Sequence, residues 1–203
     1  MPPPEWILPH LHIAPGRLQH YRALQQHHYR GPRIGCIHQV WTAWLVHRNQ
    51  PPFPRSMPAH PLPHAPLARL IATAVYTYPP PRVHARNRAL PGRYPGEATS
   101  PDPAQLRTLN HELRQLARIV VHPAFRSLGI ATLLLQLSLA QVGVRFVECI
   151  ARMAGQIPFL HAAGFRQIPT RPGEMPYFLW TSPTTPCPTT ICPATPCLGS
   201  RPS

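Results

Sequence analysis

What most constrains the fold of this 203-residue chain is where its prolines fall. Of its thirty-one prolines, twenty-five gather in the first fifteen residues, in Pro51–Pro103 and after Thr181. Proline removes an N–H donor and fixes φ, so none of these regions is regular helix or central strand throughout. The fold must be built mainly from Gly16–Gln50, Ala68–Thr77 and Ala104–Ile157. At 43% hydrophobic the chain is too apolar overall to be disordered, and its length suits one domain with tails. The expected organisation is an extended lead-in over 1–15, a domain over 16–180 with Pro-rich loops at 48–66 and 79–103, and a low-complexity Pro/Thr/Cys tail over 181–203.

Periodicity within those windows gives the elements. Leu18, Tyr21 and Leu24 recur at helical spacing in 16–28, predicting an amphipathic helix that ends before Gly31-Pro32. Gln39–His47 and Leu67–Tyr78 are rich in β-branched and aromatic residues and read as an antiparallel pair with a long tip. Asp102 as a cap and Pro103 at the first helical position open a helix over Ala104–Leu113. Next come a strand over Gln115–His122, an apolar helix over Leu128–Gln141 and a strand over Val144–Ala151. A short helix over Ile157–Ala163 and closing strands at Phe165–Ile168 and Tyr177–Trp180 complete the chain. This alternation predicts an α/β (α+β) fold, a mixed central sheet flanked by helices.

Charge is the second global feature. The formal net charge is +14, and all twenty basic residues are arginine. Two accounts stand: a composition typical of GC-rich coding sequence, or a surface that attracts the phosphates of a cofactor or nucleic acid. The arginines are scattered from Arg17 to Arg201 without a basic run, and no RRM-like pattern, zinc module or basic helix is present, which weighs against nucleic acid. Cys36 and Cys149 stand in apolar surroundings and read as small buried hydrophobes. Cys187, Cys192 and Cys197 recur every five residues in the tail, which is neither a CxxC pair nor a zinc spacing. No metal is expected. No apolar stretch is long enough to span a bilayer and no signal-peptide core precedes the domain, so a soluble cytoplasmic protein is expected, with no membrane partner.

The run Ile119-Val120-Val121-His122-Pro123-Ala124-Phe125-Arg126-Ser127-Leu128-Gly129-Ile130-Ala131-Thr132 carries chemistry. A strand stops at a proline, a short turn follows, and an Arg-x-x-Gly-x-Ala segment opens a helix. The first turn of a helix leaves backbone N–H groups unpaired at the positive end of its dipole. Gly129 and the small Ala131 let a phosphate approach the backbone, so Ser127, Leu128, Gly129, Ile130, Ala131 and Thr132 form a candidate pyrophosphate cradle. The Arg126 side chain could add a charge-assisted contact. The competing account is an ordinary strand–turn–helix unit whose glycine eases a tight connection.

Context favours the cradle. The segment resembles motif A of the GNAT N-acyltransferase superfamily, and Pro158-Phe159-Leu160-His161-Ala162-Ala163-Gly164-Phe165 resembles its second signature, an aromatic-containing helix ending in Gly-Phe. Within that superfamily, Leu109-Asn110-x-Glu112-x-Arg114 running on to Pro123, and Glu148-x-x-Ala151-Arg152-Met153-Ala154-Gly155-x-x-Pro158-Phe159, look like the acetyltransferase-like domain found fused to or beside some ABC-type ATPases. The resemblance covers Tyr21 to about Trp180, weakly before Leu106. This chain has no Walker A sequence, so such an ATPase would be a separate protein.

The resemblance implies a GNAT-like sheet in which two parallel strands, here around Ile119–His122 and Val144–Ala151, splay apart around acetyl-CoA or another acyl-CoA. The pantetheine amides would pair with the backbone at Val120 and Val121, and the acceptor would be a small-molecule amine or a protein amino group. A homodimer is frequent in the superfamily. Chemistry of this kind needs a base for the ammonium proton and often an acid for the thiolate. Where the family places a carboxylate before motif A, this chain has Gln115 to Ala117. Glu112 is the nearest acid and the candidate base, with a solvated charge or an Arg114 or Arg118 partner as its alternative role; His111 and His122 are alternative bases. The family's usual tyrosine acid is replaced by Leu160, which leaves His161 as the candidate acid. A catalytically degenerate domain that binds a partner is therefore the second reading.

Overall fold

The computed structural model of the protein describes residues 3–28, 34–46, 68–94, 102–151 and 158–183. The proline-rich loop at 48–66 and most of the 181–203 tail, with Cys187, Cys192 and Cys197, lie outside them. The described strands are β1 (Leu11–Gly16), β2 (Ile37–Val46), β3 (Ala68–Thr77), β4 (Leu113–Val121), β5 (Phe146–Ile150), β6 (Arg166–Ile168) and β7 (Tyr177–Thr181). The helices are α1 (Leu18–Leu24), α2 (His84–Ala89), α3 (Pro103–Glu112), α4 (Ile130–Leu139) and α5 (Pro158–Ala162). Short 3-10 turns follow α1 at Gln25–His27 and β4 at Pro123–Phe125.

The strands form one seven-stranded sheet in the order β1-β2-β3-β4-β5-β7-β6. Every described pairing is antiparallel except β4 with β5. The mixed sheet flanked by helices is thus the α/β architecture expected from the sequence.

Two elements escaped the sequence reading. Part of the proline-rich lead-in is strand β1, paired with β2 from Leu11↔Leu45 to Gly16↔Val40. Pro15 is tolerated because β1 is an edge strand, where a missing N–H need not break a ladder on both sides. Within the segment read as irregular, His84–Ala89 closes one and a half turns of helix between proline and glycine breakers. The Asp102 cap is present, its Oδ1 accepting from the Ala104 N–H at 3.1 Å, with Pro103 opening α3. Cys149 is buried as expected, but Cys36 is exposed because it precedes the first paired residue of β2.

The helices cover both faces of the sheet. On one face α4 buries Ile130, Leu134, Leu135 and Leu139, one helical stripe, against Tyr76, Leu116, Val147, Cys149 and Phe178, with Leu160 of α5 beside them. The Tyr76 hydroxyl meets Ser138 Oγ at 2.6 Å and pins α4 to β3. On the other face α1 packs Tyr21 and Leu24 on Val40, Trp44, Val75 and Val120. Beside it, α2 and α3 pack Ala85, Ala89, Leu90 and Leu109 on Leu113, Phe146, Tyr177 and Leu179. No described helix is long and apolar enough to cross a membrane.

Candidate functional site

The central strands part company. β4 and β5 are joined only at Leu113↔Phe146, Arg114↔Val147 and Gln115↔Glu148. Beyond that rung β4 continues to Val121 bound to β3, and β5 continues to Ile150 bound to β7. The cause lies in β4, where Tyr76 opposes Leu116 while Val75 opposes Arg118. Ala117 is therefore an extra residue, and such a bulge bends and over-twists its strand. Each arm of the fork keeps an inner edge of backbone N–H and C=O groups that no described strand pairs. A ligand carrying its own amides can complete that edge as a strand would.

The open end of the fork leads to the cradle. His122 donates its N–H to Ile71 O at 2.8 Å, and its Nδ1 accepts from the Ala124 N–H at 3.3 Å. Phe125 and Arg126 close the 3-10 turn through N–H bonds to His122 O and Pro123 O. Ser127 (φ 64) and Gly129 (φ 71) are then left-handed, reversing the chain into α4. The first bond of α4 runs from Leu133 N–H to Gly129 O at 3.1 Å, so the N–H groups of Ile130, Ala131 and Thr132 precede it. Gly129 has no side chain to cap them, and the first turn carries no acid. This is an electropositive backbone corner suited to an anion.

The predicted cofactor residues assemble here, mostly through backbone. Ile130 and Val120 are buried, and Leu128 and Val121 pack against the core. Ser127 is exposed at the corner. Arg126 acts as a staple: Nε donates to Val121 O at 3.2 Å and Nη2 to His27 O at 3.0 Å. It ties the loop to the end of β4 and to the turn after α1. His122 stands edge-on to His27 with ring centroids 4.9 Å apart. Partial burial, then the neighbouring His27 and Arg126, hold its imidazole below the ordinary range, which favours the neutral form.

The candidate catalytic residues do not converge. Glu112 takes neither Arg114 nor Arg118 as partner: Arg93 donates Nε to Oε2 at 2.9 Å and Nη2 to Oε1 at 2.6 Å, and the Tyr94 hydroxyl donates to Oε2 at 3.0 Å. Partial burial would raise its pKa, but the Arg93 and Tyr94 hydrogen bonds outweigh that and hold it below the usual carboxylate range. It also precedes β4, behind the apex of the fork, on the side opposite the cradle. The geometry gives it a structural role. His161 is exposed on α5, its ring edge-on to Phe178 at 5.5 Å, and Phe178 pairs with Cys149 of the β5 arm.

The carboxylate at the apex figured in the sequence reading only within a family resemblance and was given no role. Glu148 is fully buried, bound by Arg86 through Nε at 2.9 Å and Nη2 at 2.7 Å, and by the Tyr177 hydroxyl at 2.9 Å. The available signal was an acid between valine and cysteine in a short apolar strand. In a chain with only six acids, that position demands a buried cation.

No family model matches the sequence, and no curated protein matches it. Solved structures with a similar chain path include a Bacillus subtilis acetyltransferase in complex with CoA, at 12% identity over 85% of this chain and 99% of that one, with a TM-score of 0.44. The ribosomal-protein-S18-alanine N-acetyltransferase from Escherichia coli is 13% identical over 90% of this chain and 99% of that one, with a TM-score of 0.43. The GNAT domain of S. lividans PAT is 15% identical, with a TM-score of 0.38 over 71% of this chain; the chain spans 60% of that domain's length.

Proposed function

We propose that this chain is an acyl-CoA-dependent N-acyltransferase of the GNAT type, with acetyl-CoA as the donor to be tested first and an amine as acceptor. One observation carries the reading: the open fork of β4 and β5 and the uncapped start of α4 meet at the same end of β4. The inner edge of β4, including Val120 and Val121, would hold the pantetheine amides, and the backbone from Ser127 to Thr132 would hold the pyrophosphate. The coenzyme supplies a thioester whose carbonyl an amine can attack. The chain's own part is to align that thioester, to keep water from one face with α4 and α5, and to protonate the leaving sulfur through His161. Acceptor deprotonation falls to solvent or an imidazole, since Glu112 and Glu148 are each bound to an arginine.

Calorimetric titration with acetyl-CoA tests this. Binding that is abolished by Gly129→Glu, which sets a carboxylate at the corner, supports the reading; no binding at about 1 mM acetyl-CoA sinks it.

The arginine-bound carboxylates and Leu160 at the tyrosine position favour a second reading, a degenerate GNAT domain that binds a partner such as an ABC-type ATPase. Acetyl-CoA binding without acetylation of any amine would select it.

A further inference from the structure

The loop that forms the coenzyme corner is held weakly by its own backbone. Among the described residues, the N–H groups of Ser127, Leu128 and Gly129 donate to no backbone carbonyl, and Ser127 and Gly129 both take left-handed φ. The last backbone bond before them runs from Arg126 N–H to Pro123 O at 3.2 Å, and the next from Leu133 N–H to Gly129 O. Phe125 and Leu128 pack against the core, but they flank the reversal of the chain without bonding it.

We propose that His27, a residue outside the cradle, fixes this corner together with Arg126, so that the exit turn of α1 becomes part of the coenzyme site. This rests on the acyltransferase reading. His27 and Arg126 are then positioning residues, and the phosphates of the coenzyme are held by main-chain N–H groups.

His27 meets the corner twice. Its carbonyl accepts from Arg126 Nη2 at 3.0 Å, and its ring stands edge-on to the His122 ring with centroids 4.9 Å apart. His122 in turn caps the 3-10 turn, its Nδ1 accepting from the Ala124 N–H. Arg126 also donates Nε to Val121 O at 3.2 Å, so one planar guanidinium joins the end of β4 to a turn 99 residues away in sequence. Nε and Nη2 share one edge of the guanidinium, the edge that an oxyanion takes side-on. Two carbonyls occupy that edge here, so Arg126 orients the loop rather than gripping a phosphate side-on.

The base of this tie is firm. α1 buries Tyr21 and Leu24 among Val40, Trp44, Val75 and Val120, the last of which belongs to β4 itself. The turn after α1 closes with His28 N–H to Gln25 O at 3.0 Å. A loop already held in its binding geometry costs less to order when a ligand arrives.

The test uses the full chain with His27→Ala, Arg126→Gln, Arg126→Lys and the double variant His27→Ala/Arg126→Gln. Arg126 is exposed and His27 half-buried, so neither change opens the core. Without coenzyme, hydrogen exchange at the amides of residues 125, 126 and 133 should rise about fivefold or more in Arg126→Gln, while β3 keeps its protection. Calorimetric affinity for acetyl-CoA should fall about tenfold in Arg126→Gln and about threefold in His27→Ala. Affinity for S-acetylpantetheine, which lacks the phosphates, should stay within about twofold, whereas a general structural loss would weaken both donors alike. Arg126→Lys keeps the charge without the planar fork and should recover only a minor part of the loss. The double variant should lie within about twofold of Arg126→Gln, because both changes sever one tie. Full affinity in Arg126→Lys overturns the proposal, as do equal weakening of S-acetylpantetheine, unchanged exchange in Arg126→Gln, or losses that multiply in the double variant. A wild type that binds no acetyl-CoA defeats the acyltransferase reading, while the exchange measurement still decides whether the tie holds the corner.

Discussion

Gln115 and Glu148 form the last rung between β4 and β5, and the bulge at Ala117 follows within two residues. The sheet therefore opens where β4 is bent, and a buried carboxylate lies at the point of opening. Stability and site geometry meet in that rung.

Removing half of the buried pair should cost far more than removing all of it. Glu148→Ala leaves the Arg86 guanidinium buried without its counter-charge, a loss of about 3–5 kcal/mol. The double variant Arg86→Met/Glu148→Leu removes both desolvation costs and should lie within about 2 kcal/mol of wild type. Denaturant unfolding of wild type, Arg86→Met, Glu148→Leu and the double variant, with Glu148→Ala beside them, measures this. Additive losses would show that the pair does not act as a unit.

The residues legible in the sequence were those with a local signature. Proline positions bounded the domain, the apolar β-branched run within Gln115–His122 before Pro123 marked β4, and Gly129 marked the turn because backbone near φ 71 favours a residue without a Cβ. Glu148, Arg86 and Tyr177 were not legible. Arg86–Glu148 joins residues 62 apart and Glu148–Tyr177 joins residues 29 apart, and nothing in the local run says which arginine meets which acid. The same long-range choice misassigned the partner of Glu112, which is Arg93 in a segment read as irregular. β1 was hidden by Pro15, whose effect depends on whether its strand is an edge.

The Arg93–Glu112 pair predicts a specific pH dependence. The Glu112 carboxyl is held below its ordinary value of 4.5 in the folded chain. Its stabilisation is complete above that value and is lost as pH falls through the lower folded pKa. Both side chains are about three-quarters buried (24% and 21% exposed), and the pair should be worth about 1 kcal/mol. Glu112→Gln should therefore be less stable than wild type at pH 7, with the gap closing on acidification below the ordinary value of 4.5. A gap that persists at acid pH would locate the effect in packing.

Ser127 is the one described non-glycine residue with positive φ, and it stands in the cradle. A β-branched side chain tolerates that conformation worse, so Ser127→Val should destabilise by about 1–2 kcal/mol. Ser127→Gly should be neutral or slightly stabilising, because relief of strain offsets the added chain entropy. Thermal unfolding reads both. If Val and Gly behave alike, the left-handed conformation is not required there.

On the acyltransferase reading, α5 would present the side chain that meets the leaving sulfur. Leu160, where the resemblance to the superfamily would set a tyrosine, is 1% exposed and packed in the core with Cys149 and Phe178. A phenol there would force an oxygen and extra volume into a filled space, so Leu160→Tyr should cost about 1–3 kcal/mol and gain no activity. His161, next along α5, is exposed and lies against Phe178, one strand from the β5 arm. If it protonates the thiolate, His161→Ala should lower kcat about 100-fold while leaving acetyl-CoA affinity unchanged. Full turnover in His161→Ala would remove the imidazole from the reaction and leave the thiolate to depart unaided.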